Sequence, residues 1–391
     1  MKSLFATIFS SLLFFSQSGY GQSTTLMDYK LISEVKAQQG LFDQEIKALK
    51  RRADQYLNMK PVSVMDKEVT PPSGDKHDYM SQGPYWWPDP DQPDGLPYIR
   101  RDGERNPEIK KISDHDYLYE LIDAVDRLGL AYFYTVEEKY ARKASELLRV
   151  WFIDPATRMN PNLNYGQGIP GRTEGRGIGI IETRQFCYLV DAVTLLEPSE
   201  AWTAQFHQEF KSWIGEYLTW LVESPHGLDE SVHGNNHTTW YYVQTISMAL
   251  FVGRQDLAHM LQEKGLPLIM DAQLESDGKQ PKELARTRSY DYSSMNLMAI
   301  NYFAILSEKL GQPIWDYRDQ IIRKALDFLM PYLNLEKNWT YQQITEYKPA
   351  ERIMPVVKIA ANQYENGIYD SVFSKYYQID KDELLLMLRY P

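Results

Sequence analysis

An all-α toroid, an (α/α)n ring of paired helices with long loops forming a cleft, is the fold class this sequence predicts. Three observations carry the prediction. Apolar residues recur at helical spacing from about residue 113 to the C-terminus. Prolines such as Pro155, Pro198, Pro225, Pro267, Pro281, Pro313 and Pro331 punctuate that series, mostly near helix ends, where a missing N–H and a fixed φ are tolerated. Strand-like alternation is scarce, and there is no fixed-period repeat or low-complexity tract. Many medium-length helices on short turns bury their apolar stripes by pairing and stacking.

The first 21 residues stand outside that fold. Lys2 is their only charge, Leu4 to Phe15 is a short apolar run broken by serines, and Ser18-Gly19-Tyr20-Gly21 offers small residues for cleavage. This reads as a secretory signal peptide followed by one domain over 22–391, placed in the periplasm or outside the cell. No later stretch reaches the roughly 18 consecutive apolar residues of a membrane span. The pattern from Met27 to about Leu57 is helical, with Leu31, Ile32, Val35, Leu41, Ile46 and Leu49 at apolar positions. A long irregular segment, Pro61 to Pro107, follows, and a loop of that length is usually functional. Helices are then expected at 114–130, 136–152, 182–195, 200–222, 237–252, 255–275, 291–311, 315–334, 351–363 and 382–389.

Composition excludes some functions. The formal charge is −11, a poor balance for neutralising nucleic-acid phosphates. An acidic substrate would need local positive charge against that global sign. The single cysteine, Cys187, sits among Phe186, Tyr188 and Leu189 and reads as a buried thiol.

Two stretches concentrate chemistry. In Gly234-Asn235-Asn236-His237-Thr238-Thr239-Trp240 a turn feeds a helix, and one asparagine can serve as its N-cap. The other amide and His237 are then free for an anion at the helix start, Asn235 or Asn236 filling either role. His226, His233 and His237 also allow a metal reading, but the Gly-Asn-Asn between the last two breaks helical spacing and no HExxH is present. In Arg286-Thr287-Arg288-Ser289-Tyr290-Asp291-Tyr292, two guanidiniums precede two phenols. Either these are solvated arginines and core tyrosines, or the cations favour a phenolate. Arg286 and Tyr292 are six apart, about 240° on a regular helix, so they converge only across a turn. The irregular segment adds Lys76, His77, Tyr79, Trp86, Trp87, Arg100 and Arg101, suited to carboxylates and sugar faces, or else to stapling the loop to the core. Gly166 to Gly179 carries Arg176 and leads to Glu182-Thr183-Arg184, a wall offering arginines or a Glu182–Arg184 ion pair.

Taken together, Ser73-Gly74-Asp75-Lys76-His77-Asp78-Tyr79, Tyr85-Trp86-Trp87-Pro88, Pro97-Tyr98-Ile99-Arg100-Arg101-Asp102-Gly103, Asn235-Asn236-His237 and Arg288-Ser289-Tyr290-Asp291-Tyr292 resemble the alginate lyase superfamily, which holds polysaccharide lyase families five and thirty-eight. The resemblance runs from about Asp75 past Tyr292 and implies an α/α toroid. It implies that Asn236 and His237 neutralise a uronate carboxylate, with Arg286 beside a catalytic Tyr292. It implies no metal and no cofactor. Arg286 stands six before Tyr292 and is followed by Thr287, where family five has a spacing of seven and a glycine, so the pattern leans toward family thirty-eight.

The implied reaction is β-elimination on an acidic polysaccharide, alginate and especially its mannuronate, or else glucuronan. Tyr292 would take H5 and protonate O4, Asn236, His237 and Arg286 neutralising the carboxylate. Lys76, His77, Tyr79, Trp86, Trp87, Arg101, Arg176, Arg184, Asn235, Arg288 and Tyr290 would bind substrate. Two rivals remain: a toroid glycoside hydrolase, which needs paired carboxylates from Asp75, Asp78, Glu182 or Asp291, and a non-catalytic polysaccharide-binding protein.

Overall fold

Two helices, Asn236–Val252 and Ser289–Lys309, are buried on nearly every side, and they set the centre of the architecture. Polar residues inside them, such as Gln244, Thr245, Asn296 and Asn301, are as inaccessible as their leucines. A helix without a solvent face must sit between layers. The structure, a computed structural model, describes residues 23–333, 337–364, 367–377 and 383–391, so the expected signal segment lies outside the described residues.

The inner layer runs Asp114–Thr135, Phe186–Leu196, Asn236–Val252, Ser289–Lys309, Pro349–Gln363, each packed against the next. Outside it lie Asp43–Tyr56, Glu138–Leu148, Ala204–Glu223, Gln255–Leu266, Tyr317–Leu329 and Gly367–Tyr376. The short helix Glu383–Arg389 touches both Asp43–Tyr56 and Pro349–Gln363, linking the two ends of the ring. This is the α/α toroid that the sequence predicts, and its buried apolar side chains pack as one core.

The helix boundaries follow local chemistry. Asn235 caps Asn236–Val252 by accepting from the His237 N–H at 3.1 Å, and Gly253 ends it with φ +83°. Thr203 caps Ala204–Glu223, its hydroxyl accepting from the Phe206 N–H at 3.2 Å. Several expectations change. The pattern over 27–57 is two helices, Tyr29–Ala37 and Asp43–Tyr56, with a single 3-10 turn, Gln39–Leu41, between them. Pro225–Ser231, Pro281–Leu284 and Gly367–Tyr376 are additional helices. The irregular segment contains short strands: Met80–Gln82 pairs in parallel with Tyr165–Gly168, and Trp86–Trp87 pairs antiparallel with Ile99–Arg100. Cys187 is buried, as its neighbours predict, and burial raises its thiol pKa.

Candidate active site

The mouths of the two central helices open into a cleft of about 870 Å³. Its walls come from the Pro61–Pro107 segment, the glycine-rich stretch, the two helix starts and the start of Pro349–Gln363. Asn235, Asn236, His237, Arg286, Arg288 and Tyr292 all line it.

Because Asn235 is used as the cap, Asn236 is the spare amide. It is fully buried, and its backbone N–H donates to Glu283 Oε1 at 2.7 Å. Its Nδ2 lies 2.9 Å from each Glu283 oxygen, while its Oδ1 has no partner. His237 Nδ1 sits 2.7 Å from Oε1 of the buried Glu230. An ionised Glu230 holds the Nδ1 proton and so leaves Nε2 as the ring's other proton site, an acceptor in the neutral ring and a donor in the imidazolium. Burial raises the carboxyl pKa of both Glu230 and Glu283, against the pull of His237 and of Asn236 respectively.

A turn before Ser289 brings Arg286 back over Tyr292, with Cζ 3.9 Å from the ring centroid. Asp102 holds that guanidinium through Nε at 3.1 Å and Nη2 at 2.9 Å, and also accepts from Thr287. Burial works against ionisation of Asp102, but the hydrogen bonds and charge of Arg286, with Arg100, bring its pKa down to about 2. The Tyr292 hydroxyl meets the Tyr85 hydroxyl at 2.7 Å. Burial, then Tyr85, raises the Tyr292 pKa above its ordinary value, and Arg286 pulls it the other way. Arg288 is paired with Asp291 at 2.7 Å. The turn itself is splinted by a later segment. Ser289 N–H donates to Gln342 O at 3.0 Å, Ile344 N–H to Thr287 O at 2.9 Å, and the Trp339 indole to Ser289 Oγ at 2.8 Å.

The alginate lyase family model matches residues 63–339, well over half of the sequence. The chain belongs to the alginate lyase family. It is similar to the crystal structure of an alginate lyase from Bacteroides ovatus, with 41% identity, 94% of this chain and 99% of that one covered, and a TM-score of 0.89. No match was found among curated proteins. The family and that likeness make this chain a polysaccharide lyase. Among the lyase's described residues, no helix is long and apolar enough to cross a membrane.

The remaining expected binding residues of the lyase divide. Trp86, Arg176 and Arg184 line the cleft. Arg176 donates to Gln167 O and Oε1, and Arg172 and Arg176 stack on Trp86. Burial lowers the Arg176 pKa to about 10. Arg184 bonds the Tyr119 hydroxyl and Ile181 O, so the expected Glu182–Arg184 pair does not form; Glu182 instead accepts from Tyr79 and Ser81. Six expectations are corrected by placement. Tyr79 is buried on Glu182, and Tyr290 is buried between Trp339 and Tyr347. Lys76 donates to Met65 O and His77 faces Arg158 O, both outside the cleft lining. Trp87 turns its indole to Glu104 O with Arg101 stacked on it, and neither reaches the cleft. Tyr85, Asp102, Glu230 and Glu283 were not among the expected site residues. Asp102 follows the Arg100-Arg101 pair and Tyr85 precedes the tryptophans, so both stood inside noted motifs; Glu230 and Glu283 carry no local signal.

Proposed function

We propose that this lyase cleaves a polyuronate of the mannuronate or glucuronate type by syn β-elimination, with Tyr292 as base and then acid. The observation that carries the reading is the convergence of Tyr292, Arg286, Asn236 and His237 in one cleft, with Arg286 stacked 3.9 Å from the Tyr292 ring centroid. In mannuronate and glucuronate, H5 and O4 lie on the same side of the ring, so one group can serve both. Tyr292 phenolate takes H5, the C5 electron pair forms the C4–C5 double bond, and the C4–O4 bond breaks. The new Tyr292 hydroxyl then protonates O4, which restores the phenolate. Arg286 and a hydrogen bond from Tyr85 support that phenolate, while His237 and Asn236 meet the substrate's carboxyl group as charge moves onto it.

Alginate, especially its mannuronate blocks, is the substrate favoured by the family, and glucuronan differs from it only at C2. In guluronate H5 and O4 lie on opposite faces, and His237 Nε2 would have to act as base. The spacing of Arg286 and Tyr292 favours polysaccharide lyase family thirty-eight over family five, and residues 1–21 favour export to the periplasm or beyond. The glycoside hydrolase reading weakens. Asp75 and Asp78 lie outside the cleft lining, and Asp291 is tied to Arg288 and Arg352.

The test is a panel of polymannuronate, polyguluronate, glucuronan and hyaluronan, followed by near-ultraviolet absorbance of unsaturated products. Tyr292→Phe is expected to lower the rate by about 10³-fold or more. Near wild-type activity in that variant removes Tyr292 from the mechanism.

A further inference from the structure

Two carboxylates, Asp291 in the cleft lining and Asp102 behind it, each hold two guanidiniums. Asp102 takes Arg286 on both oxygens and Arg100 Nη2 on Oδ1 at 2.7 Å. Asp291 takes Arg288 on Oδ2 and Arg352 Nε on Oδ1 at 3.3 Å. Each Arg–Asp–Arg triad therefore keeps one uncompensated positive charge. In each triad the inner arginine is packed at the catalytic turn, its side chain 16% exposed for Arg286 and 19% for Arg288. The outer arginine is half open, 55% for Arg100 and 49% for Arg352, and both line the cleft. Arg100 spends one N–H on Asp102, Arg352 is in ion-pair contact with Asp291, and each keeps the rest of its donor fork. A forked, weakly hydrated cation is suited to carboxylates.

We propose that Arg100 and Arg352 are the carboxylate receptors for the uronate residues flanking the one that reacts. The inference rests on the polyuronate reading above. A polyuronate presents a carboxylate on every sugar, so a cleft that handles the reacting one still has to receive its neighbours. The two receptors come from different walls, the Ile99–Arg100 strand and the start of Pro349–Gln363. The shared aspartates fix each outer arginine relative to Arg286 or Arg288, and so relative to Tyr292. The other charged groups nearby are accounted for. Arg176 and Arg184 have no carboxylate within 4 Å among the described residues, but they are engaged by Gln167 and Tyr119. Glu351 faces Lys348 at 4.0 Å. Arg352 lies beyond the family-matched residues 63–339, at the start of Pro349–Gln363.

The experiment is steady-state kinetics of full-length wild type, Arg100→Ala, Arg352→Ala and the two lysine variants on size-resolved uronan oligomers, with melting temperatures measured alongside. Each alanine variant is expected to raise KM about tenfold on long oligomers, the worth of one charge-assisted contact. Lysine restores part of the loss, and added salt shrinks the difference. On the shortest oligomer still cleaved, one variant converges with wild type, while the variant whose receptor faces the leaving sugar, present in every substrate, keeps its loss. Should an alanine variant fail to fold, Arg→Gln, which keeps a donor without the charge, replaces it. An unchanged KM in a folded variant overturns the proposal, as does a loss that is equal on short and long oligomers in both variants, which marks a structural role. A wild-type chain that forms unsaturated product from no uronan overturns the polyuronate reading itself.

Discussion

Every donor expected to meet the substrate carboxylate has a carboxylate behind it. Glu230 backs His237, Glu283 backs Asn236 and Asp102 backs Arg286. Each acid fixes a side chain's direction before substrate arrives, which removes reorganisation from the reaction step. Asp102→Asn is expected to lower kcat by about 10²-fold through misplacement of Arg286, with rates at saturating substrate as the measurement. The Asp102 pKa of about 2 lies below the ordinary 3.8, so the stability it adds is present above about pH 4 and is lost as pH falls through about 2. An acid melt of wild type against Asp102→Asn checks this: the two should converge only at the acid end. Tyr292 behaves oppositely. Its raised pKa leaves it a neutral phenol in the free enzyme at pH 7, so kcat/KM is expected to climb with pH from neutral into the alkaline range. A flat profile there excludes Tyr292 as the base. Sequence picked out these cleft-lining residues because Asn-Asn-His and Arg-x-Arg-x-Tyr-x-Tyr are compact. It missed their acids because Glu283 lies 47 residues from Asn236 and in no motif. One error was avoidable: Tyr290 and Tyr292 are two apart on a helix, roughly 200° in rotation, so only one could face the cleft.

At the level of elements, the cleft walls depend on close backbone approach. A Cβ on Gly175 would stand 1.9 Å from Asn164 O, so the stretch carrying Arg176 lies flat against the chain before it. Gly175→Ala is expected to cost about 1–3 kcal/mol and to weaken substrate binding as Arg176 and Trp86 shift, read from denaturant melts and KM. Loss of the Thr203 cap by Thr203→Ala, far from the cleft chemistry, should cost about 1 kcal/mol and leave kinetics unaltered. Long helices were legible because their apolar spacing persists for several turns, as in Asp114–Thr135 and Ala204–Glu223. Pro225–Ser231 was not, because seven residues give two turns and its Ser224-Pro225 start reads equally well as a break. The paired strands at Met80–Gln82 and Trp86–Trp87 are too short for alternation to register, and the partner of the first, Tyr165–Gly168, lies far along the chain.

Across the whole molecule, the first and last described residues are structural. Asp191, in the inner helix Phe186–Leu196, is buried and accepts from Thr25, Leu26 and Met27 backbone N–H groups and the Thr25 hydroxyl. Lys309 donates to Thr24 O and Met27 O from another inner helix. At the other end the Tyr134 hydroxyl donates to Leu388 O, and Arg389 pairs with Asp126. Asp191→Ala is therefore expected to cost about 3 kcal/mol, visible in the melting temperature of the full chain. The ring was legible as a class from helix pairing alone, but its closure was not, since single side chains such as Asp191 and Arg389 make it. The segment that splints the Arg286–Tyr292 turn also reports on it. Trp339 donates its indole N–H to Ser289 and lies edge-on to Tyr290 at 5.0 Å, three and two residues from Tyr292. Its emission spectrum is thus set by the geometry of the turn, and the difference in fluorescence between wild type and Trp339→Phe gives an optical reading of that turn as the cleft fills.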